Sequence, residues 1–239
     1  CLRQWRHMSQ TTESSAAGLS ADQVAHLQSW IGKSESMHDQ IAAMPVAAMS
    51  ATLDRDDAAP HIGTALAPLW HWMNFAAIAP QSQLGPDGHP ARGGFLPPVP
   101  LPRRMFAGGR LHWLASNPLQ VGQTVERKSR IESVEHKKGR SGELLFVLVK
   151  HELHNANGLS MTEEHDIVYR PAALPSDPAP QPTVAEKSAA WKREINADPV
   201  MLFRYSALTF NGHRIHYDRS YVTQEEGYPG LIVHGQLIA

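Results

Sequence analysis

The chain has 239 residues, with 22 Lys and Arg against 23 Asp and Glu and a formal net charge of −1. So even a balance excludes the basic stripe with which nucleic-acid binders neutralise phosphates, and 42% hydrophobic against 19% charged residues excludes a disordered chain. One cysteine, Cys1, excludes an internal disulfide framework and a four-cysteine zinc site, while no apolar run reaches the ~20 residues of a membrane-spanning helix.

What remains is a globular protein of one or two domains. No apolar segment follows the N-terminus to read as a signal peptide, and Met8 is a candidate natural start. A reducing compartment is expected: the cytoplasm, or the mitochondrial matrix if the source is eukaryotic.

Residues 1–18 are small and polar and read as a disordered tail. Ser20 then offers an N-cap, with Val24, Leu27 and Ile31 at helical spacing before Gly32. Residues 54–60 read as a solvated loop. The apolar, aromatic stretch 66–78, with Pro68 near its start, predicts a short buried helix carrying Trp70 and Trp72. Residues 80–109 are dominated by Pro and Gly and predict a long irregular loop. Arg103 and Arg104 at its exit are candidate phosphate contacts.

From Gly109 the pattern turns to β. Alternating segments at 110–114, 124–134, 144–153 and 160–169, joined by Gly- and Asn-rich turns at 138–142 and 155–158, predict an antiparallel meander. Helical segments followed by such strands make an α+β fold. Five prolines between Pro171 and Pro182 predict a stiff linker, and an apolar group around Pro199 follows it.

The densest chemical vocabulary lies in Tyr205-Ser206-Ala207-Leu208-Thr209-Phe210-Asn211-Gly212-His213-Arg214-Ile215-His216-Tyr217-Asp218. Adding water across a polarised double bond needs a base and an orienting partner. A near-neutral histidine can take the proton from water and return it, and an amide such as Asn211 can hold that water. Asp218 precedes a helical stretch, 219–224, and reads as its N-cap. Further on, Gly227-Tyr228-Pro229-Gly230-Leu231-Ile232-Val233-His234-Gly235 leads into a helix starting near Gly235. Free N–H groups there are a candidate oxyanion site for a thioester carbonyl, and glycine permits its close approach.

The strings Thr209-Phe210-Asn211-Gly212-His213-Arg214-Ile215-His216 and Ile232-Val233-His234-Gly235 resemble the (R)-specific enoyl-CoA hydratase motif of the MaoC-like hot-dog proteins. Within that group the chain is most similar to the type 2 3-hydroxyacyl-thioester dehydratases and the bacterial mesaconyl-C4-CoA and itaconyl-CoA hydratases. Pro68-Leu69-Trp70-His71-Trp72, Leu84-Gly85-Pro86-Asp87-Gly88 and residues 101–109 add to the likeness, which spans about 20–239.

The resemblance implies a double hot-dog fold. An N-terminal hot-dog domain would occupy 19–170 and, after the 171–182 linker, a C-terminal catalytic one would begin at 183–239. The second is expected to be incomplete here, since its central helix is cut after about one turn and an isolated turn is unstable. The resemblance further implies His216 as the catalytic histidine, Gly235 as the oxyanion donor, and Asn211 where the wider family has its catalytic aspartate. An amide cannot accept a proton, so His216 is expected to transfer it while Asn211 orients water or the thioester. Arg214, Tyr205, Arg103 and Arg104 are the expected substrate contacts, with a structural ion pair the other reading of Arg214. His213 is expected to be structural.

A metal at His213 and His216 is not expected, because H-x-x-H alone is a weak signature. The N-terminal domain, with Trp70, Trp72 and the 97–102 loop, is expected to shape the acyl pocket without catalytic residues. The implied reaction is reversible hydration of an enoyl-CoA, a short branched dicarboxylyl-CoA above all, by a homo-oligomer. It needs no cofactor, since the CoA thioester is the substrate, and no nucleic acid or membrane. The alternatives are a non-catalytic acyl-thioester-binding protein, a fatty-acyl thioester dehydratase, and a thioesterase.

Overall fold

The computed structural model describes residues 18–90, 93–139, 142–172, 190 and 192–239. The N-terminal tail before residue 18, the Arg140-Ser141 turn and nearly all of the Pro-rich linker lie outside the described residues.

Helix α1 (Ala21–Gln28) starts as its sequence dictates. The Ser20 side chain accepts from Gln23 N, and the Gln23 side chain accepts from Ser20 N in return, a reciprocal capping box. Leu27 is its buried residue. Strand β1 (Ser34–Gln40) and helix α2 (Ala43–Thr52) follow; the sequence reading contained neither.

The sheet has five antiparallel strands in the order β1-β3-β4-β5-β2, with β2 at Arg103–Trp113, β3 at Thr124–Gly139, β4 at Gly142–Asn155 and β5 at Gly158–Arg170. Only β3, β4 and β5 form the predicted meander; β1 and β2 add at the two edges. The β4–β5 turn closes because Asn155 Oδ1 accepts from Asn157 N at 2.9 Å and Gly158 takes φ +105°, which a side chain would resist.

Alternation places two apolar clusters on the same face of the three central strands. Ile131, Val134, Leu145, Val147, Val149 and Ile167 form one, closed by Leu27 and Val99. Val125, Leu153 and Met161 form the other, covered by Ile41, Val46 and Phe75. Each fully buried aliphatic side chain contributes about 1.5–3 kcal/mol. Between the clusters the core-facing positions turn polar, at Arg127, Ser129, His151, Glu163 and His165.

Two expectations are corrected. The 66–78 segment is not a helix: it makes one 3₁₀ turn, Trp70–Met73, and Ile78 is exposed. The 80–109 loop ends early, because Arg103–Gly109 is strand. A β-bulge between Phe106 and Gly108 absorbs the small residues that made it read as loop.

Beyond the linker, Asp198 caps α3 (Pro199–Leu208) by accepting from Met201 N at 2.8 Å, with Pro199 in its first turn. Helix α3 packs against α2. A 3₁₀ turn (Arg214–His216), α4 (Arg219–Gln224) and α5 (Gly235–Ile238) complete the described chain. Among the described residues no helix is long and apolar enough to cross a membrane.

Candidate active site

A cavity of about 840 Å³ lies between the segment after α3 and the polar centre of the sheet. Asn211, Gly212 and Arg214 line one side, Trp72 and Phe75 another, and Arg127, His151, Glu163 and His165 a third.

The C-terminus of α3 sets the direction of the first wall. Asn211 N donates to Ser206 O at 2.8 Å and Phe210 N to Ala207 O at 3.3 Å, the paired bonds of a Schellman stop. The left-handed position falls on Phe210, with φ +52°, where glycine would be usual. Backbone strain of this kind costs about 1–3 kcal/mol and collects at functional sites. The reversal brings Asn211 to the cavity. Its Oδ1 accepts from His213 N at 3.0 Å, and since only the oxygen can accept, the NH₂ is the end left to donate.

His216 is buried, with 7% of its surface exposed. Its Nδ1 lies 2.7 Å from Ile232 O. A carbonyl only accepts, so Nδ1 carries the hydrogen and the neutral ring keeps its lone pair on Nε2. That nitrogen has no hydrogen-bond partner among the described residues. The ring stacks on His234 at 3.7 Å and 18°. His234 in turn meets Ser206 Oγ through Nε2 at 2.8 Å. Burial holds His216 below its ordinary 6.5 and pushes His234 down to about 3, so both rings are neutral at pH 7. His216 is not among the residues that line the cavity, whereas Asn211, Gly212 and Arg214 of the same segment are.

The 85–89 turn docks on this motif. Arg214 N donates to Asp87 O at 2.9 Å and Arg214 Nη1 to Pro86 O at 2.8 Å. Gly88, at φ +87°, approaches so closely that a Cβ would sit 2.0 Å from Gly212 O. Asp87 Oδ2 meets His89 Nδ1 at 3.1 Å, and the His89 ring faces His213 at 4.2 Å. These three are a group whose ligand atoms lie within 4.8 Å of one another, the right residue types for a metal. As candidate ligands the fold groups His213 with Asp87 and His89, while its ring also meets His216 edge-on at 5.4 Å. The Asp87–His89 hydrogen bond already partners the carboxylate and one ring. Burial pushes His213 down to about 4.

The expected substrate contacts divide. Tyr205 lines the cavity and packs on His234 at 4.8 Å, and burial pushes its phenol up to about 12. Arg214 lines it too, but Nε and Nη2 donate to Asp218 Oδ2 at 3.0 and 2.8 Å, so its donors serve the structural ion pair. Asp218 also caps α4, accepting from Tyr221 N at 3.1 Å. Arg103 and Arg104 belong to β2, opposite Arg170 and Tyr169, and neither lines the cavity; the charge of Arg104 is nevertheless felt at His165 and His213. Gly235 opens α5 next to Gln236, which lines the cavity, and its N–H donates to no backbone carbonyl among the described residues. Trp72 reaches the cavity, whereas Trp70 and Val99 pack into the core clusters.

The polar centre of the sheet was absent from the sequence reading. Glu163 accepts from Trp72 Nε1 and meets His71 Nε2, both at 3.0 Å. Burial alone would raise its carboxyl, but the bonds to His71 and Trp72 bring it below its ordinary value. His151 Nδ1 lies 2.8 Å from Ser129 Oγ, and burial, with Arg127 nearby, pushes it down to about 4. A signal did exist: the parity that marks buried positions on β3, β4 and β5 lands on polar residues at 127, 129, 151, 163 and 165, and soluble cores do not spend such positions on unpaired polar groups.

Residues 69–239 match the family described as hydroxyacyl-thioester dehydratase type 2. The mesaconyl-C(4)-CoA hydratase of Chloroflexus aurantiacus is 49% identical over 218 residues, 90% of this chain and 76% of that protein. The mitochondrial hydroxyacyl-thioester dehydratase type 2 of Schizosaccharomyces pombe is 28% identical over 202 residues, 73% of this chain and 65% of that protein. A solved MaoC-like dehydratase superposes with a TM-score of 0.56 at 12% identity, over 89% of this chain and 75% of that one, a likeness of fold. The chain therefore belongs to the hydroxyacyl-thioester dehydratase type 2 family and shares its fold with a MaoC-like dehydratase.

Proposed function

We propose that the protein reversibly adds water to the C2–C3 double bond of a short branched dicarboxylyl-CoA, of which mesaconyl-C4-CoA is the leading candidate and itaconyl-CoA a second. The observation that carries this reading is the 2.7 Å contact between His216 Nδ1 and Ile232 O. With Nδ1–H fixed on Ile232 O, Nε2 is left as the basic nitrogen, in the same segment that brings Asn211 to the cavity. His216 takes a proton from water as the oxygen attacks the β-carbon, then returns it at the α-carbon, and the reverse sequence dehydrates. The NH₂ of Asn211 orients the water or the thioester oxygen. The Gly235 N–H faces the developing enolate oxygen, where an aligned donor is worth about 3–4 kcal/mol.

Hydration changes no net oxidation state, so the reaction requires no redox cofactor; the CoA thioester is substrate. The likeness to the Chloroflexus aurantiacus hydratase favours the dicarboxylyl substrate. A long apolar acyl chain, the alternative, would have to lie against the polar centre of the sheet. A complete double hot-dog and pairing between copies at the β1 or β2 edge belong to the same reading.

An acyl-CoA panel tests it. Hydration removes the absorbance of the conjugated thioester, and the chirality of the product reports the face of addition. Rapid hydration of mesaconyl-C4-CoA or itaconyl-CoA is expected. Tight binding without turnover would instead select a binding protein, and free CoA release a thioesterase.

A further inference from the structure

Proton transfer at His216 makes no use of the polar centre of the sheet, and one residue there is electrostatically incomplete. Arg127 stands on β3 between Val125 and Ser129 and lines the cavity. Its Nε is buried without a hydrogen-bond partner among the described residues. Among the described residues Nη2 meets only Met37 Sδ, at 3.0 Å, a weak acceptor, and the guanidinium sits 5.0 Å from the Phe75 ring.

Two acids act on it electrostatically, Glu35 and Glu163. Glu35 is exposed on the edge strand β1. Glu163 faces it from β5, but Oε1 is taken by Trp72 and Oε2 by His71. A guanidinium cannot shed its charge, and that of Arg127, half-buried at the cavity wall, meets no carboxylate oxygen among the described residues. An anion supplied from outside the chain would complete the site, and the planar fork of arginine matches a carboxylate with two parallel hydrogen bonds.

We propose that Arg127 is the receptor for a carboxylate carried on the acyl group, so that this part of the cavity selects dicarboxylyl thioesters over monocarboxylyl ones. His151, steadied by Ser129, and His165 flank the bound carboxylate. The inference rests on the hydratase reading for its substrate but not for its site.

The test compares mesaconyl-C4-CoA, with a carboxylate on the β-carbon, and 3-methylcrotonyl-CoA, with a methyl in its place, on the full-length protein. The wild type should prefer the first. Arg127→Met should lower kcat/KM for the carboxylate substrate by about 100-fold or more and leave the methyl analogue within about threefold. Arg127→Lys, which keeps the charge and loses the fork, should fall between. The Tm of Arg127→Met should match that of the wild type, because the half-buried guanidinium makes no ion pair among the described residues and Met keeps much of its apolar contact.

Equal losses on both substrates, a lowered Tm, or an unchanged preference would overturn the assignment, as would a wild type that shows no preference. If the wild type hydrates neither substrate, the hydratase reading fails by itself. Calorimetric titration with free mesaconate then decides the site: binding by the wild type and not by Arg127→Met supports it, and equal or absent binding refutes it.

Discussion

His216 owes its basicity to a bond on the far side of its ring. Because Ile232 O holds Nδ1–H, the lone pair falls on Nε2, and burial keeps the ring neutral below its ordinary 6.5. Protonation abolishes the base, so kcat/KM should be level through neutral pH and fall in acid, with an apparent pKa below 6.5. A pH–rate profile with its acid limb at 7 or above would contradict this. Asn211 tests the division of labour. Asn211→Asp keeps an acceptor for His213 N but loses the NH₂ donor, and no gain in kcat is expected; a gain of about tenfold or more would show that the amide handicaps the site. Asn211 in the place where the resemblance implies an aspartate could be read from the motif. The tautomer could not, since Ile232 lies 16 residues away and only the fold brings its carbonyl to the ring.

At the scale of elements, the site depends on the close contacts between the 85–89 turn and the segment after α3. Gly88→Ala would place a Cβ 2.0 Å from Gly212 O, whereas Gly63 shares the same backbone region, at φ +89° against +87°, with nothing within 4 Å. Both substitutions incur the left-handed cost of about 1 kcal/mol. Gly88→Ala should cost about 1–3 kcal/mol beyond that and lower activity by displacing Asn211. Thermal melts and rates of the two variants decide it, and equal effects would show that the contact does not matter.

The elements that were legible carry local signals: Ser20 and Gln23 for α1, Asp218 for α4, and Asn155 with Gly158 for the β4–β5 turn. The missed ones lack them. Helix α2 has no capping side chain at Ala42 and is too evenly apolar to show a face. Strand β1 is a polar edge with mostly exposed side chains, and β2 hides its start among Pro and Gly at a bulge.

For the molecule as a whole, buried histidines make stability depend on pH. His151 and His213 stand at about 4 and His234 at about 3 when folded, against 6.5 when unfolded. Below 6.5 the unfolded chain binds more protons, so stability is full above that pH and declines as pH falls toward 4. His234, with no exposed surface, contributes at most about 1.4 kcal/mol per pH unit within that window. The depressed carboxyls of Asp87 and Glu163 act in the same direction but only below about 4.5. Tm should therefore drop between pH 6.5 and 4.5 on the histidines' account, and a level Tm there would contradict it. The overall α+β architecture was readable from strand alternation. The meeting of Gly88, Glu163 and Asn211 around one cavity was not, because it depends on contacts between segments far apart in the chain that no local spacing encodes.

The most direct measurement is the turnover of His216→Ala on an enoyl-CoA that the wild type hydrates, with binding of the same thioester measured in parallel. Loss of proton transfer should lower kcat by about 10²–10⁴-fold while binding stays within a few-fold. Undiminished turnover would contradict the assignment of this imidazole as the base.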